Sequence, residues 1–435
     1  MTLDPIVAFY ALPMFAIWAA YAIARRHAQS RVIARQKEAS DSGLDQPTSL
    51  HPKIDPVLCI GCRACLNACP EGDILGLIGN KARLIEASNC IGHGACKTAC
   101  PNGAISLVFG TETRGIDLPA VNPQFESNVP GLFIAGEIGG MGLIRNAVEQ
   151  GRQAMEAIAA QRRTPVAASG FDVVIVGAGP AGIAAGLCAL EKRLRYLILE
   201  QDTLGGSVAH FPRGKVVMTQ PAHLPLVGRM PFRQVSKEKL LGFWNHAIKK
   251  SGLQIRFQER VEQVVRTESG FSIRTRHETY HTRSVLLAIG RRGTPRKLNV
   301  PGEDLSKVVY RLIDAAHYRG KSVLVVGGGD SALEAAAAIA EERGTRVTLS
   351  YRGAAFSRAK IKNRDRIERL RQQQRLEVIF NSAVQSIAPE QVVLQTQQGV
   401  STRRNDAVIV CSGGILPTDF LRDAGVEIET KYGSA

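Results

Sequence analysis

The sequence predicts an α/β protein with two doubly wound domains, preceded by a small α+β unit and an apolar N-terminal helix. Three observations carry that expectation: a strand, glycine turn and Ala-rich helix that occurs twice, a doubled cysteine-rich segment, and an unbroken apolar run near the N-terminus.

Bulk composition sets the frame. The chain has 435 residues, 45% hydrophobic and 22% charged, which is an ordinary globular balance with room for several domains. Intrinsic disorder is excluded. Lys and Arg number 55 against 39 Asp and Glu, a net charge of +16 that suits anionic lipid, acidic proteins, phosphate ligands or nucleic acid. The motifs give no reason to choose nucleic acid.

Residues 6–24, "IVAFYALPMFAIWAAYAIA", form an apolar run of 19, against the roughly 17–25 that a membrane helix needs. Pro13 is tolerable there. Asp4 is the one charge before the run, whereas Arg25, Arg26, Arg31, Arg35 and Lys37 follow it, so the basic flank is expected to stay cytoplasmic. Ala22-Ile23-Ala24 resembles a signal-peptidase site, but a signal peptide carries its positive charge ahead of the apolar run. Residues 1–37 are therefore expected to be a retained single-pass anchor and basic juxtamembrane segment in the cytoplasmic membrane, with the catalytic domains in the cytoplasm. Residues 38–53, polar with Pro, Ser and Gly, read as a linker.

Seven of the nine cysteines lie between positions 59 and 100, while Cys188 and Cys411 stand alone. A secreted disulfide scaffold does not look like this, and a reducing compartment suits it. Within 54–108, "CIGCRACLNACPEGDI" and "CIGHGACKTACPNGAI" align at an offset of 31 residues. Cys59, Cys62, Cys65 and Cys69-Pro70 follow the C-x2-C-x2-C-x3-C-P spacing of iron-sulfur loops, whereas structural zinc favours paired C-x2-C knuckles. The segment resembles the bacterial two-cluster ferredoxins. That resemblance implies a first 4Fe-4S cluster on Cys59, Cys62, Cys65 and Cys100, and a second on Cys69, Cys90 and Cys96 with His93 in place of the missing cysteine. Three readings of His93 stay open: a ligand that raises the cluster potential, a neighbour of a three-iron (3Fe-4S) cluster, or a bystander at an empty site.

From residue 171 the texture is α/β. "FDVVIVGAGPAG" is a buried strand running into a glycine turn and a helix, with "YLILE" at 196–200 as the next strand. Gly177 supplies the tight turn, Gly179 close backbone approach to a pyrophosphate and Gly182 helix-strand packing; Glu200 stands where a carboxylate meets ribose hydroxyls. The figure returns in "KSVLVVGGGDSALEAAAAIA" (321–340) with Gly327, Gly329 and Ala332. The count of 23 residues from Gly177 to Glu200 leads from Gly327 to Ser350, which is therefore expected among the cofactor-binding residues, followed by Tyr351 and Arg352. Loss of the acid and arrival of Arg352, with Arg358 nearby, favour a ribose 2′-phosphate, hence NADPH over NADH. The competing reading gives these arginines to the solvated basic helix "SRAKIKNRDRIERLR".

Two such units imply two doubly wound dinucleotide-binding domains. They resemble the thioredoxin-reductase-like flavoproteins, together with "LLAIGRRGTPRKLNVPG" (286–302) and "AVIVCSGGILPTDFL" (407–421). The resemblance implies FAD at the first site and a nicotinamide nucleotide at the second, and leaves room for a homodimer. Two departures stand out. No cysteine lies between 189 and 410, so the family's dithiol is missing, and the closing "PGLFIAGEIGG" element stands at 130–140, ahead of the FAD motif. The chain is expected to be circularly permuted, with Gly136 and Glu137 in the place of the family's flavin-contacting Gly-Asp. The expected division is 54–108 ferredoxin-like, 109–165 permuted closing segment, 166–305 FAD domain, 306–410 NAD(P)H domain and 411–435 a return to the FAD domain.

A nicotinamide gives electrons in pairs and iron-sulfur clusters take them singly, which a flavin reconciles. The expected function is electron transfer between NAD(P)H, FAD, two clusters and an external partner: a soluble ferredoxin or flavodoxin, a membrane redox protein, or a quinone. A flavin-centred reductase of a small molecule, with the clusters as electron entry, and a redox-sensing or assembly subunit without turnover are the alternatives.

Overall fold

The computed structural model describes residues 5–41, 47, 50–69, 72, 74–87, 90, 92, 94–112, 115–140, 142–161, 170–291, 293–356 and 359–433. They form two compact units, residues 1–114 with 433–435, and residues 115–432.

The first unit opens with helix α1, Pro5–Asp41, which runs four residues into the expected linker. Its second half is seated on the cysteine-bearing unit. Arg35 Nη2 donates to Glu86 Oε1 at 2.7 Å, Ala39 is buried, and a Cβ on Gly76 would lie 2.5 Å from Val32 Cγ1. Burial of that face is what keeps the polar stretch helical past Lys37. Among the described residues no helix is long and apolar enough to cross a membrane, so the expected anchor has no support here. The side chains of residues 5–8, 11 and 12, inside the apolar run, lie outside the described set.

Next come β1 (His51–Ile54), α2 (Ala64–Ala68), β2 (Leu75–Ile78), β3 (Lys81–Leu84), α3 (Ala95–Thr98) and β4 (Ile105–Val108). β1 therefore begins inside the expected linker. β1 pairs antiparallel with β4, Ile54 opposite Ile105, and β2 with β3, Ile78 opposite Lys81. The sequence repeat maps β1, α2 and β2 onto β3, α3 and β4, so equivalent strands pair crosswise. The backbone repeats too: Gly61 (φ 72°) matches Gly92 (φ 77°), and Arg63 (φ 67°) matches Gly94 (φ 76°). A Cβ on Gly61 would lie 2.2 Å from the Asn80 carbonyl, which is why the turn after the first cysteine takes glycine.

The second unit begins with β5 (Ile116–Pro119), β6 (Leu132–Ile134) and α4 (Ile144–Ala160). After these come β7 (Phe171–Val176), α5 (Pro180–Glu191), β8 (Tyr196–Leu199), α6 (Lys237–Ser251), β9 (Ile255–Arg256), β10 (Val261–Thr267), β11 (Gly270–Thr275) and β12 (Thr279–Leu287). One sheet runs β9-β8-β7-β12 in parallel and continues antiparallel through β11 and β10. β6 joins the C-terminal half of β12 in parallel, Leu132 opposite Val285. The segment expected to be permuted thus supplies a strand of this sheet. Leu132, Phe133 and Ile134 are completely buried, because a parallel strand covered on both faces has no polar side. α4 lies close on α5, with Gly151 so near that a Cβ would sit 2.1 Å from the Ala181 carbonyl.

Further along the chain come β13 (Val308–Val309), β14 (Ser322–Val326), α7 (Asp330–Ala340), β15 (Arg346–Ser350), α8 (Ile361–Gln372) and β16 (Leu376–Ile379), then β17 (Ala383–Ile387), β18 (Gln391–Thr396), β19 (Gly399–Arg404), β20 (Ala407–Val410) and β21 (Ile428–Lys431). A five-stranded parallel sheet has the order β13-β20-β14-β15-β16, and β17-β18-β19 form an antiparallel sheet beside it. β21 pairs with β5, Ile428 opposite Pro119. Lys215 Nζ to Glu334 at 2.6 Å and Arg213 to Asp314 at 3.1 Å link residues of the first sheet's domain to the second.

Candidate cofactor sites

Cys59, Cys62, Cys65 and Cys100 line one cavity, the set that the ferredoxin resemblance groups together. Burial, with Cys59 and Cys62 nearby, pushes the Cys65 thiol above its ordinary value; burial, with Cys69 and Cys100 nearby, does the same for Cys96. Thiols crowded in this way give up their protons readily only to a strong cation, as metal binding requires. The Ala82 amide donates to Cys59 Sγ at 3.4 Å and Lys81 Nζ to the Cys59 carbonyl at 2.5 Å, contacts that fit a loop holding an electron-rich cluster. Among the described residues no three His, Cys, Asp or Glu side chains converge tightly enough for a single metal ion. Of the second set, Cys69, Cys90 and Cys96 are described and Cys90 Sγ donates to the Leu50 carbonyl at 3.8 Å, while His93 lies outside the described residues.

At the first glycine turn Gly177 has φ 106°, and a Cβ on Gly182 would lie 1.8 Å from the Gly177 carbonyl. Turn and helix therefore meet backbone to backbone. Gly179 has only the Gly206 Cα near its Cβ direction, at 3.9 Å, leaving room above the uncapped N-terminus of α5 for a phosphate. Glu200 is buried; its Oε2 accepts from the Ala178 amide at 2.7 Å and its Oε1 from the Asp202 amide at 2.9 Å. Burial raises its pKa above the ordinary carboxylate value, with the amides opposing. Each oxygen keeps a lone pair for a ribose hydroxyl.

Gly136 (φ 89°) lies beside the same turn, where its Cβ would be 3.1 Å from that of Ala181. Its amide donates to Gln150 Oε1 at 2.8 Å. Glu137 follows, and Gly290 lies within 4.0 Å of its Oε2 by its Cβ direction. Burial lowers the Arg291 pKa against the opposing charges of Glu137 and Asp117. Gln150, Arg291 and the Gly205-Gly206 pair had no place in the sequence reading. Of these, only the doubled glycine left a legible signal.

At the second turn Gly327 has φ 142°, and its Cβ would lie 2.5 Å from the Cys411 carbonyl and 3.1 Å from the Cβ of Ala332. Gly329 has open space around it and begins an α7 that no side chain caps. Both features suit a bound pyrophosphate. Ser350 differs from expectation: it is fully buried, and its hydroxyl pairs with that of Ser382 at 2.8 Å, so it ties β15 to the loop after β16 instead of facing a ribose. Arg352, just beyond, is exposed. Arg358 lies outside the described residues. Tyr351 lies over Gly328 and stacks on Phe356 with centroids 5.7 Å apart, which fixes the loop carrying Arg352.

Comparison with known proteins agrees with both halves. Residues 174–434 match the family described as pyridine nucleotide-disulphide oxidoreductase, and residues 51–101 match the 4Fe-4S dicluster domain. Bacilliredoxin reductase Bdr of Bacillus subtilis is 28% identical over 267 residues, 60% of this chain and 82% of that protein. A ferredoxin--NADP reductase of Ignicoccus hospitalis is 27% identical over 270 residues, 60% of this chain and 83% of that one. Among solved structures, the bacillithiol disulfide reductase Bdr of Staphylococcus aureus superposes with a TM-score of 0.53 at 25% identity, covering 60% of this chain and 82% of that one.

Proposed function

Because the chain belongs to the pyridine nucleotide-disulphide oxidoreductase family and carries a 4Fe-4S dicluster domain, it is an NAD(P)H-dependent oxidoreductase, and we propose that it moves electrons between NADPH, FAD, two iron-sulfur clusters and an external one-electron carrier. The carrying observation is the presence in one chain of two glycine turns and a cavity walled by four cysteines. A flavin, when bound, supplies the exchange between paired and single electrons. The chain's own residues bind and orient. Glu200 and the first turn take the FAD ribose and pyrophosphate, Gly136, held by Gln150, approaches the flavin side, and Arg352 takes the 2′-phosphate that favours NADPH.

Ferredoxin--NADP reductases among the relatives and the +16 charge support an acidic ferredoxin or flavodoxin as the carrier. Exposed apolar side chains on α1, among them Ile17 at 70% and Trp18 at 63%, support membrane attachment through that helix, which co-sedimentation with vesicles tests. For the pathway itself, the test is anaerobic single-turnover reduction by NADPH, followed at flavin and cluster wavelengths. Clusters that stay oxidised while the flavin bleaches would sink it. The Bdr relatives favour a second reading, reduction of a small-molecule disulfide at the flavin. Disulfide-stimulated NADPH consumption with silent clusters would select it.

A further inference from the structure

We propose that a groove at the N-terminal ends of β14, β15 and β16 binds a nucleoside phosphate, apart from both glycine turns. The cavity measures about 760 Å³ and is walled by Ser322–Leu324, Arg346–Thr348, Leu376–Val378 and Arg403–Asn405. Pockets of roughly 300–1,000 Å³ hold small organic ligands. Doubly wound sheets hold their nucleotide at the carboxyl ends of the strands, where Gly327 and Arg352 stand. This groove is at the opposite end and shares no residue with either turn.

Charge gives the first half of the ligand. Arg346, Arg371, Arg375, Arg403 and Arg404 line the groove, and Glu377 is the one acid among the lining residues. That acid is already engaged by both Arg403 Nη atoms, and Arg371 has Glu368 at 3.5 Å. Arg346, Arg375 and Arg404 have no carboxylate at ion-pair distance among the described residues. Guanidinium groups gathered on a concave wall whose one acid is already paired match phosphate oxygens, which they can grip in pairs.

Asn405 gives the second half. It is 1% exposed, and its Nδ2 donates to the Ala407 carbonyl at 2.7 Å, so the amide cannot turn round. Its Oδ1 is buried without a donor. Buried acceptors of this kind are ordinarily satisfied. A phosphate answers the arginines and not Asn405, which needs an N–H or O–H. A ribose hydroxyl or a base amine on the same molecule supplies it. A nucleoside phosphate carries both the anion for the arginines and the donor for Asn405 in one small molecule.

The test is equilibrium dialysis of radiolabelled GDP against the holoprotein, with FAD bound and NADP+ saturating. We expect saturable binding of one GDP per chain. Binding should weaken at least tenfold in the combined variant Arg346→Ala, Arg375→Ala, Arg404→Ala, with NADPH oxidation by an artificial acceptor unchanged. If that variant fails to fold, Arg375→Ala and Arg404→Ala singly should each weaken binding at least threefold. No saturable binding, or binding untouched by these substitutions, overturns the site. Inorganic pyrophosphate competing as well as unlabelled GDP overturns the nucleoside assignment, and displacement of GDP by an acidic ferredoxin hands the groove to a protein partner.

Discussion

Glu200 Oε2 accepts a hydrogen bond from the Ala178 amide at 2.7 Å, so the end of β8 and the first glycine turn share one buried acid. Glutamine at this position keeps the shape but turns one acceptor into a donor facing an amide. Glu200→Gln should weaken FAD binding by about 1–3 kcal/mol, roughly tenfold to a hundredfold, read from flavin fluorescence on dialysis. A pH effect accompanies it. Burial raises the Glu200 pKa, so the folded apoprotein keeps this proton to higher pH than the unfolded chain does. Its contribution is favourable at low pH and is lost as pH rises from the ordinary carboxylate value through the raised one. Apoprotein melting temperature should carry that slope in wild type and lose it in Glu200→Gln.

Two glycines separate packing from binding. A Cβ on Gly182 would press to 1.8 Å on the Gly177 carbonyl, whereas one on Gly329 meets nothing within 4 Å. Gly182→Ala should therefore yield little folded, flavin-bearing protein. Gly329→Ala should fold and keep its flavin, and raise KM for NADPH at least tenfold by filling the space above the helix end. Equal damage from both would contradict this division.

Arg352 is an exposed cation two residues beyond Ser350, the position that corresponds by count to Glu200. Arg352→Ala should cut kcat/KM with NADPH by about tenfold to a hundredfold, the loss of one charge-assisted phosphate contact, and leave NADH within about twofold. Parallel losses with both nucleotides would assign Arg352 to folding.

Cys188 is completely buried and its thiol is pushed up to about 11 by burial, while Cys62 is exposed on the wall of the cysteine cavity. Cys188→Ser should leave iron and sulfide per chain unchanged. Cys62→Ser should lower both and alter the electron paramagnetic resonance spectrum of the reduced protein. An unchanged spectrum there would remove Cys62 from the ligand set.

Much of this architecture was legible because glycine and cysteine report backbone demands directly. The left-handed turns at Gly177 and Gly327 and the 31-residue repeat needed only spacing to be found. Ser350 was misplaced because register along the chain says which residue ends the strand, not which way its side chain faces. Its hydroxyl meets Ser382, a partner 32 residues on. Gln150 escaped for a related reason: its task, holding the Gly136 amide, exists only once α4 is folded back under β6. The polar stretch after Lys37 read as linker because α1, in which Ala39 is buried, is held by partners far along the chain, as Arg35 is by Glu86.

That contact is itself testable. Glu86 is buried and Arg35 about one-third exposed, so Arg35→Ala takes a guanidinium from a buried carboxylate rather than merely removing a surface pair. The cost should be about 1–3 kcal/mol, discounted for the solvent around Arg35. A lower midpoint for the iron-sulfur unit in denaturant, with the flavin transition unmoved, is the expected result.

The early position of β6 has a kinetic meaning. The strand that carries its sheet's Gly136 turn follows the cysteine unit in the same polypeptide, where a separate ferredoxin and reductase would have to meet by collision. Dilution does not alter the local concentration of one cofactor set around the other. In the proposed pathway the internal leg of electron transfer would be first order, with a rate that belongs to the molecule. Ionic strength and protein concentration would then govern only the encounter with the proposed outside carrier.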